Sequence, residues 1–118
     1  MFHYPHNHVE IRDAVTKLCT DFDGKYWQVC DADRAYPSAF VEALTGAGYL
    51  SALIPEEYGG LSLPISAGAA ILEEIHRSGG NAAACHAQMY TMGTVLRHGS
   101  DTQKQQYLPS IADGSLRL

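Results

Sequence analysis

Apolar residues recur every three or four positions over most of the chain, which is the period of an amphipathic α-helix. The stretch 9–22 predicts the first such helix, and Asp23-Gly24 is expected to end it. Its apolar positions are Ile11, Val15, Leu18, Cys19 and Phe22. A short second helix is expected over 26–34, and a third from Pro37, a residue suited to the first helical turn. No stretch alternates apolar and polar residues for long enough to predict a strand.

The longest uncharged run of the chain lies between Arg77 and Arg97 and predicts a helix over 82–98. Because neither side of this helix carries a charge, we expect it to be the buried centre of a helical domain. Its histidine, glutamine and threonine residues make it a poor membrane span, so none is predicted. Gly99 is expected to close the helix in the left-handed conformation.

Two further helices flank this central one. The stretch 64–77 predicts a helix with one apolar side and one solvent side. The apolar side contains Ile71, Leu72 and Ile75, and the solvent side contains Glu73, Glu74 and Arg77. Ser100 and Gln103 have the spacing of a capping box, and Pro109 is expected to kink or end the helix that they begin. The predicted fold class is therefore all-α, an orthogonal or up-and-down bundle of four to six helices.

Length, net charge and cysteine content limit the domain organisation and the kinds of function that the chain can have. The 118 residues suit one domain, which we expect to follow a His-containing leader over 1–8 and to occupy 9–118. The net charge of -5 and the absence of a Lys/Arg cluster argue against nucleic-acid binding. The three cysteines form no CxxC motif and cannot all pair. Reduced cysteines and the absence of a signal-peptide pattern predict a cytoplasmic protein.

No self-sufficient catalytic or metal site is predicted. His3, His6 and His8 could hold a transition metal weakly, but no cysteine or carboxylate is spaced to complete that site. Cys85 and His86 are neighbours in sequence, yet consecutive helical residues point about 100° apart, which excludes a thiolate–imidazole pair. A buried cysteine and a satisfied histidine are the simpler interpretation.

One combination of helical positions suggests a binding surface. Ala82, Ala83, His86 and Tyr90 fall within one arc of the predicted central helix. Two small residues followed by a histidine and a tyrosine would leave a groove lined by methyl groups and capped by polar tips. Such a groove could accept a chain-like ligand or a closely packed second helix, and the residues alone favour the helix.

Several short motifs together resemble a known family. They are IPEEYGG at 54–60, ILEEI at 71–75, GS at 99–100, QK at 103–104 and YLP at 107–109. In this order and at this spacing they closely resemble the N-terminal domain of the acyl-CoA dehydrogenases, over about 11–118. The resemblance implies an all-helical domain that is followed, in relatives, by a small β domain and a C-terminal four-helix bundle.

The resemblance also implies a function. Family members use FAD, abstract the α-proton of an acyl-CoA with a glutamate and pass the β-hydrogen to the flavin. They form dimers or tetramers, and their electrons leave through electron-transfer flavoprotein or, in some relatives, to oxygen. By similarity, the helix that starts after Ser-Gly-Gly-Asn lines the acyl-chain pocket, which raises Ala82, Ala83, His86 and Tyr90 to substrate-binding candidates.

The chain reaches Leu118 where the β domain of relatives would begin. The catalytic glutamate and most flavin contacts of relatives lie beyond that point, so we expect the chain to be a domain without activity of its own. The alternative is a non-catalytic helical module that uses its apolar faces for interaction or self-association.

Overall fold

Six α-helices and two 3₁₀ turns form the part of the chain that the computed structural model describes, residues 7–118. The helices are α1 (Val9–Cys19), α2 (Gly24–Ala32), α3 (Ser38–Gly46), α4 (Ile65–Arg77), α5 (Ala83–His98) and α6 (Asp101–Asp113). The 3₁₀ turns, Tyr49–Ser51 and Glu56–Tyr58, lie between α3 and α4. There is no strand within 7–118, which confirms the all-α prediction. His3 and His6 of the metal hypothesis lie outside the described residues.

A network of charged side chains joins α1 to α4. Arg12 lies 2.9 Å from Glu73 and 3.0 Å from Glu74. Thr16 donates a hydrogen bond to Glu74 at 3.2 Å, and Arg77 contacts both carboxylates from the end of α4. The prediction that Glu74 faces solvent is wrong, because α1 covers it and leaves it only 7% exposed. Arg12 supplies the charge that this buried carboxylate requires.

The hydrophobic core has two parts. The larger part lies between α1, α3, α4 and the start of α5, with four aromatic rings along its α2 edge. These rings are Phe22, Tyr26, Trp27 and Phe40. Neighbouring centroids lie 4.9–5.2 Å apart in edge-to-face geometry, a favourable arrangement for aromatic quadrupoles. The smaller part joins α5 to α6 through Ile54, Met92, Leu108 and Ile111.

The start of α6 confirms the predicted capping box. Ser100 Oγ accepts from the Gln103 amide at 3.1 Å, while Gln103 Oε1 accepts from the Ser100 amide at 2.9 Å. Gly99, predicted to be left-handed, has instead φ −71° and ψ 149°, so that prediction is wrong. An extended Gly99 leads directly into the cap of α6, and α5 turns into α6 without an intervening loop.

Pro109 was expected to kink or to end α6, and it does not end it. The helix continues to Asp113 and closes at Gly114, whose φ is 84°. Pro109 lies on the exposed side of α6, and the missing amide removes one helical hydrogen bond there. Leu108 and Ile111 are buried on the opposite side, so their packing against α5 holds the helix together across the proline.

Only one side of α5 is buried, whereas the uncharged sequence predicted burial all round. Cys85, Gln88, Met89 and Met92 form the buried side. The exposed residues of α5 are mostly small or polar, among them Ala83, His86 and Thr94, and its one charged residue, Arg97, lies in the last turn. Among the described residues, no helix combines the length and the hydropathy that a membrane crossing requires.

Candidate functional site

A groove runs along α5, between this helix, the start of α4 and the segment that precedes α4. Its volume is about 510 Å³. It is lined by Leu53, Leu63, Ile65, Met89, Tyr90, Gly93, Thr94, Leu96, Arg97 and His98. A smaller depression of about 260 Å³ adjoins it and shares Leu53, Ile65, Met89 and Tyr90. We call the two together the α5 groove.

The floor of the α5 groove depends on a close approach of α4. A Cβ atom at Gly68 would lie 3.3 Å from Leu53 Cδ2 and 3.5 Å from Met89 Sδ. The contact with Met89 would be an ordinary one, whereas the Leu53 methyl would have to move by a few tenths of an ångström, so α4 packs tightly against the groove floor at Gly68. Leu63 is fixed by its amide, which donates to the Ala52 carbonyl at 2.8 Å. The groove floor is thus part of the folded core rather than of a free loop.

The four predicted substrate-binding residues are placed differently by the fold. Ala82 caps the start of α5 and is fully buried, so it offers no surface to a ligand in this chain. Ala83 and His86 are exposed, and Tyr90 is 60% exposed. The rings of His86 and Tyr90 meet edge-to-face with centroids 5.2 Å apart. Tyr90 lines both parts of the α5 groove, and His86 lines the smaller one; their contact with substrate stays a prediction.

Other groove residues were not predicted from the sequence. Ile65, 72% exposed at the start of α4, lines both parts of the groove, as Tyr90 does. The signal in the sequence that could have identified Ile65 is its position as an apolar residue directly after Pro64, the N-cap of α4. Leu53 and Leu63 come from a segment without helical periodicity, so only the tertiary fold brings them to α5.

Arg97 carries the one formal charge among the residues that line the α5 groove. Arg97 and His98 line its end near the C-terminus of α5, and no aspartate or glutamate is among its lining residues. The groove therefore combines aliphatic walls with one cationic end. The whole chain, by contrast, has 13 acidic and 8 basic residues.

The side chain of Cys85, on α5, does not reach the α5 groove. Cys85 lies in the core at 1% exposure, and burial raises the pKa of its thiol to about 12. His86, its neighbour, points to the exposed side, so the two do not form a nucleophile–base pair. In the part of the chain that the structure describes, no three His, Cys, Asp or Glu side chains are grouped as a metal site.

Comparison with known proteins identifies the family. The model of the acyl-CoA dehydrogenase N-terminal domain matches residues 5–115. The chain belongs to the acyl-CoA dehydrogenase family. Among its relatives are proteins named "Probable acyl-CoA dehydrogenase FadE25" from Mycobacterium tuberculosis, Mycobacterium bovis and Mycobacterium leprae. Each is 32% identical to this chain over 114 residues, which are 95% of this chain and 29% of the relative.

The motifs that carried the resemblance to acyl-CoA dehydrogenases lie in turns and at helix starts. Gly59, with φ 92°, closes the 3₁₀ turn of the IPEEYGG motif, and Gly60 packs against the Ile54 carbonyl where a Cβ atom would overlap it. Ser100 and Gln103 form the capping box of α6. These motifs therefore identify the fold.

Proposed function

We propose that this chain is the N-terminal helical domain of an FAD-dependent acyl-CoA dehydrogenase, an enzyme that removes hydrogen from the α and β carbons of an acyl-CoA. The α5 groove forms one wall of its acyl-chain pocket. The observation that carries the proposal is the aliphatic, carboxylate-free groove beside α5 in a chain of this family. An alkyl chain gains free energy by leaving water for such a surface.

His86 and Tyr90 are the residues of this proposal that line the α5 groove. Ala83 is exposed on α5 outside the groove, and Ala82 supports the start of α5 from beneath. The Tyr90 ring is 60% exposed and Ile65 is 72% exposed. Two large apolar side chains so exposed in one groove favour a surface that a ligand or a neighbouring domain covers. The β domain and the C-terminal helical bundle of the whole protein would complete the pocket from the other side.

In our proposal the α5 groove does not hold FAD. A dinucleotide needs donors for its phosphates, such as a glycine-rich turn that leads into a helix N-terminus. The α5 groove has aliphatic walls, and its one arginine, Arg97, lies at the C-terminal end of a helix. In our proposal the rest of the protein holds the flavin, the catalytic base and the contacts of the dimer or tetramer. The whole protein is cytoplasmic and passes its electrons to electron-transfer flavoprotein.

The test uses the protein that the complete reading frame around these 118 codons encodes. We expect this protein to be purified yellow and to lose its flavin absorbance when an acyl-CoA is added without oxygen. The 118-residue chain alone should stay colourless. Stoichiometric flavin binding by the 118 residues would contradict the proposal that the rest of the protein holds the flavin. A flavin-free whole protein would favour the alternative, a helical interaction module, which sedimentation would then detect as self-association.

A variant pair tests the role of Tyr90. Tyr90→Ala in the whole protein should move the preference towards longer acyl chains, because a ring is removed from the pocket wall. Tyr36→Ala is the matched control, since Tyr36 is 56% exposed and lies outside the groove. Equal chain-length profiles for both variants would contradict a wall role for Tyr90.

A further inference from the structure

Residues 114–118, which follow α6, are attached to three helices, and we call them the exit segment. On α6, the Leu116 amide donates to the Ser110 carbonyl at 3.0 Å. The Leu116 side chain packs into the smaller part of the core, which α5 and α6 share. The exit segment therefore begins as a continuation of the folded domain.

Two side chains from other helices hold the end of the exit segment. The hydroxyl oxygen of Thr45, on α3, accepts from Arg117 Nη1 at 2.7 Å. The side-chain oxygen of Gln88, on α5, accepts from the Leu118 amide at 3.2 Å. Gly114 allows the segment to approach α3, because a Cβ atom there would lie 2.7 Å from Thr45 Cγ2. The exit segment is thus joined to α3 and α5 as well as to α6.

Such attachment is unusual for a segment between domains, which is ordinarily exposed, flexible and poor in contacts. The chain matches the model of an N-terminal domain and spans 29% of the length of its relatives. In the proposed whole protein, the exit segment therefore leads towards the domains that follow. Because the segment is held by three helices, it fixes the direction in which the chain leaves the helical domain.

We propose that the exit segment sets the position of the following domain relative to α5, with Gln88 and Thr45 as positioning residues for acyl-CoA binding. This inference rests on the proposed function, in which the rest of the protein completes the pocket. Neither Gln88 nor Thr45 lines the α5 groove, so both act through the exit segment. A displacement of about 1 Å that starts far from the reacting atoms can lower a rate about 100-fold.

The first measurement is limited trypsin digestion of the whole protein, which does not depend on activity. Arg117 is exposed, but cleavage after it requires the exit segment to open locally. We expect Gln88→Met and Thr45→Val to raise the rate of this cleavage about five-fold or more. Thr45→Ser keeps the hydroxyl and should leave the rate unchanged. Ile75→Val is the control for lost stability, because Ile75 is buried in the larger part of the core.

The second measurement is kcat/KM of the same proteins for acyl-CoAs that differ by two carbons. In Gln88→Met and Thr45→Val, the preference for the best chain length over the next longer one should fall about three-fold or more, mainly through KM, because the pocket walls are held less firmly. Thr45→Ser and Ile75→Val should keep the preference of the unsubstituted protein.

Unchanged cleavage after Arg117 in Gln88→Met and Thr45→Val would overturn the inference, and so would an unchanged chain-length preference. An equally large effect of Ile75→Val would overturn it too, because the effect would then follow stability alone. An active yellow protein with any of these results keeps the proposed function and loses only the inference. A whole protein without flavin contradicts the proposed function, whereas the trypsin digestion still tests whether Gln88 and Thr45 hold the exit segment.

Discussion

The buried amide of Gln88 holds the backbone of Leu118. Gln88 Oε1 accepts from the Leu118 amide at 3.2 Å, and Nε2 donates to the Ile111 carbonyl at 3.3 Å. Gln88 is only 1% exposed, so both ends of its amide must find partners within the protein. The helix that borders the groove is thereby joined, from its inner side, to the end of α6 and to the segment that follows it.

Replacing Gln88 should destabilise the fold through these two hydrogen bonds. Gln88→Met keeps the length of the side chain but leaves the Leu118 amide without its partner, so the free energy of unfolding should fall by about 1–3 kcal/mol. Gln105→Met, on the exposed side of α6, should change it by less than about 0.5 kcal/mol. Urea unfolding followed by circular dichroism measures both, and equal stabilities would show that the Gln88 amide contributes nothing.

The three cysteines should differ in reactivity towards iodoacetamide. Cys30 is half-buried, whereas Cys19 and Cys85 are buried and burial raises the pKa of both thiols. Because the thiolate is the nucleophile, Cys30 should be alkylated first at pH 8 and Cys85 only on unfolding. Mass spectrometry of native and urea-unfolded protein tests this order. If Cys85 in the native protein were alkylated as fast as Cys30, this would contradict the burial of the Cys85 side chain on the inner side of α5.

Much of the fold could be predicted from the sequence because its determinants are local. Helical periodicity located the main helices, and the Ser100–Gln103 capping box lies within four consecutive residues. Glu74 could not be assigned in this way, since its partner Arg12 is 62 positions away on α1. A helical wheel shows which residues share a side, but it does not show which neighbouring element covers that side.

The candidate site likewise has residues that the sequence could predict and residues that it could not. His86 and Tyr90 were found because both lie on one helix and their spacing sets their common side. Ala82 shares that arc but is covered by the core, which a single-helix argument does not include. Ile65 and Arg97 join the groove only through the packing of α4 against α5.

Two glycines should respond to alanine in opposite directions. Gly46 ends α3 with open space where a Cβ atom would stand, so Gly46→Ala should raise the free energy of unfolding by up to about 1 kcal/mol. A Cβ atom at Gly60 would overlap the Ile54 carbonyl, which already accepts from the Ser62 amide at 2.9 Å. Gly60→Ala should therefore cost about 1–3 kcal/mol or more. Thermal unfolding of the pair tests this, and a neutral Gly60→Ala would contradict the turn geometry.

The carboxylate of Glu73 should make part of the stability depend on pH. Its hydrogen bond with Arg77 lowers the pKa of Glu73 below the ordinary value, with Arg12 adding to the effect. A pKa that is lower in the folded state stabilises the protein above the unfolded pKa, about 4.3 for glutamate, and this contribution is lost as the pH falls through the folded value.

Glu73→Gln should accordingly be less stable than the unsubstituted chain at pH 7, and the difference should shrink as the pH falls below the unfolded value of about 4.3. The Glu73 side chain is 36% exposed, so the difference at pH 7 should stay below about 1 kcal/mol. Glu42→Gln is the control, because Glu42 is exposed on α3 and belongs to none of the ion pairs among residues 7–118. Urea unfolding at pH 7, 5, 4 and 3 measures the trend. A difference that stays constant or widens towards acid would mean that the contacts of Glu73 with Arg12 and Arg77 do not stabilise the packing of α1 on α4.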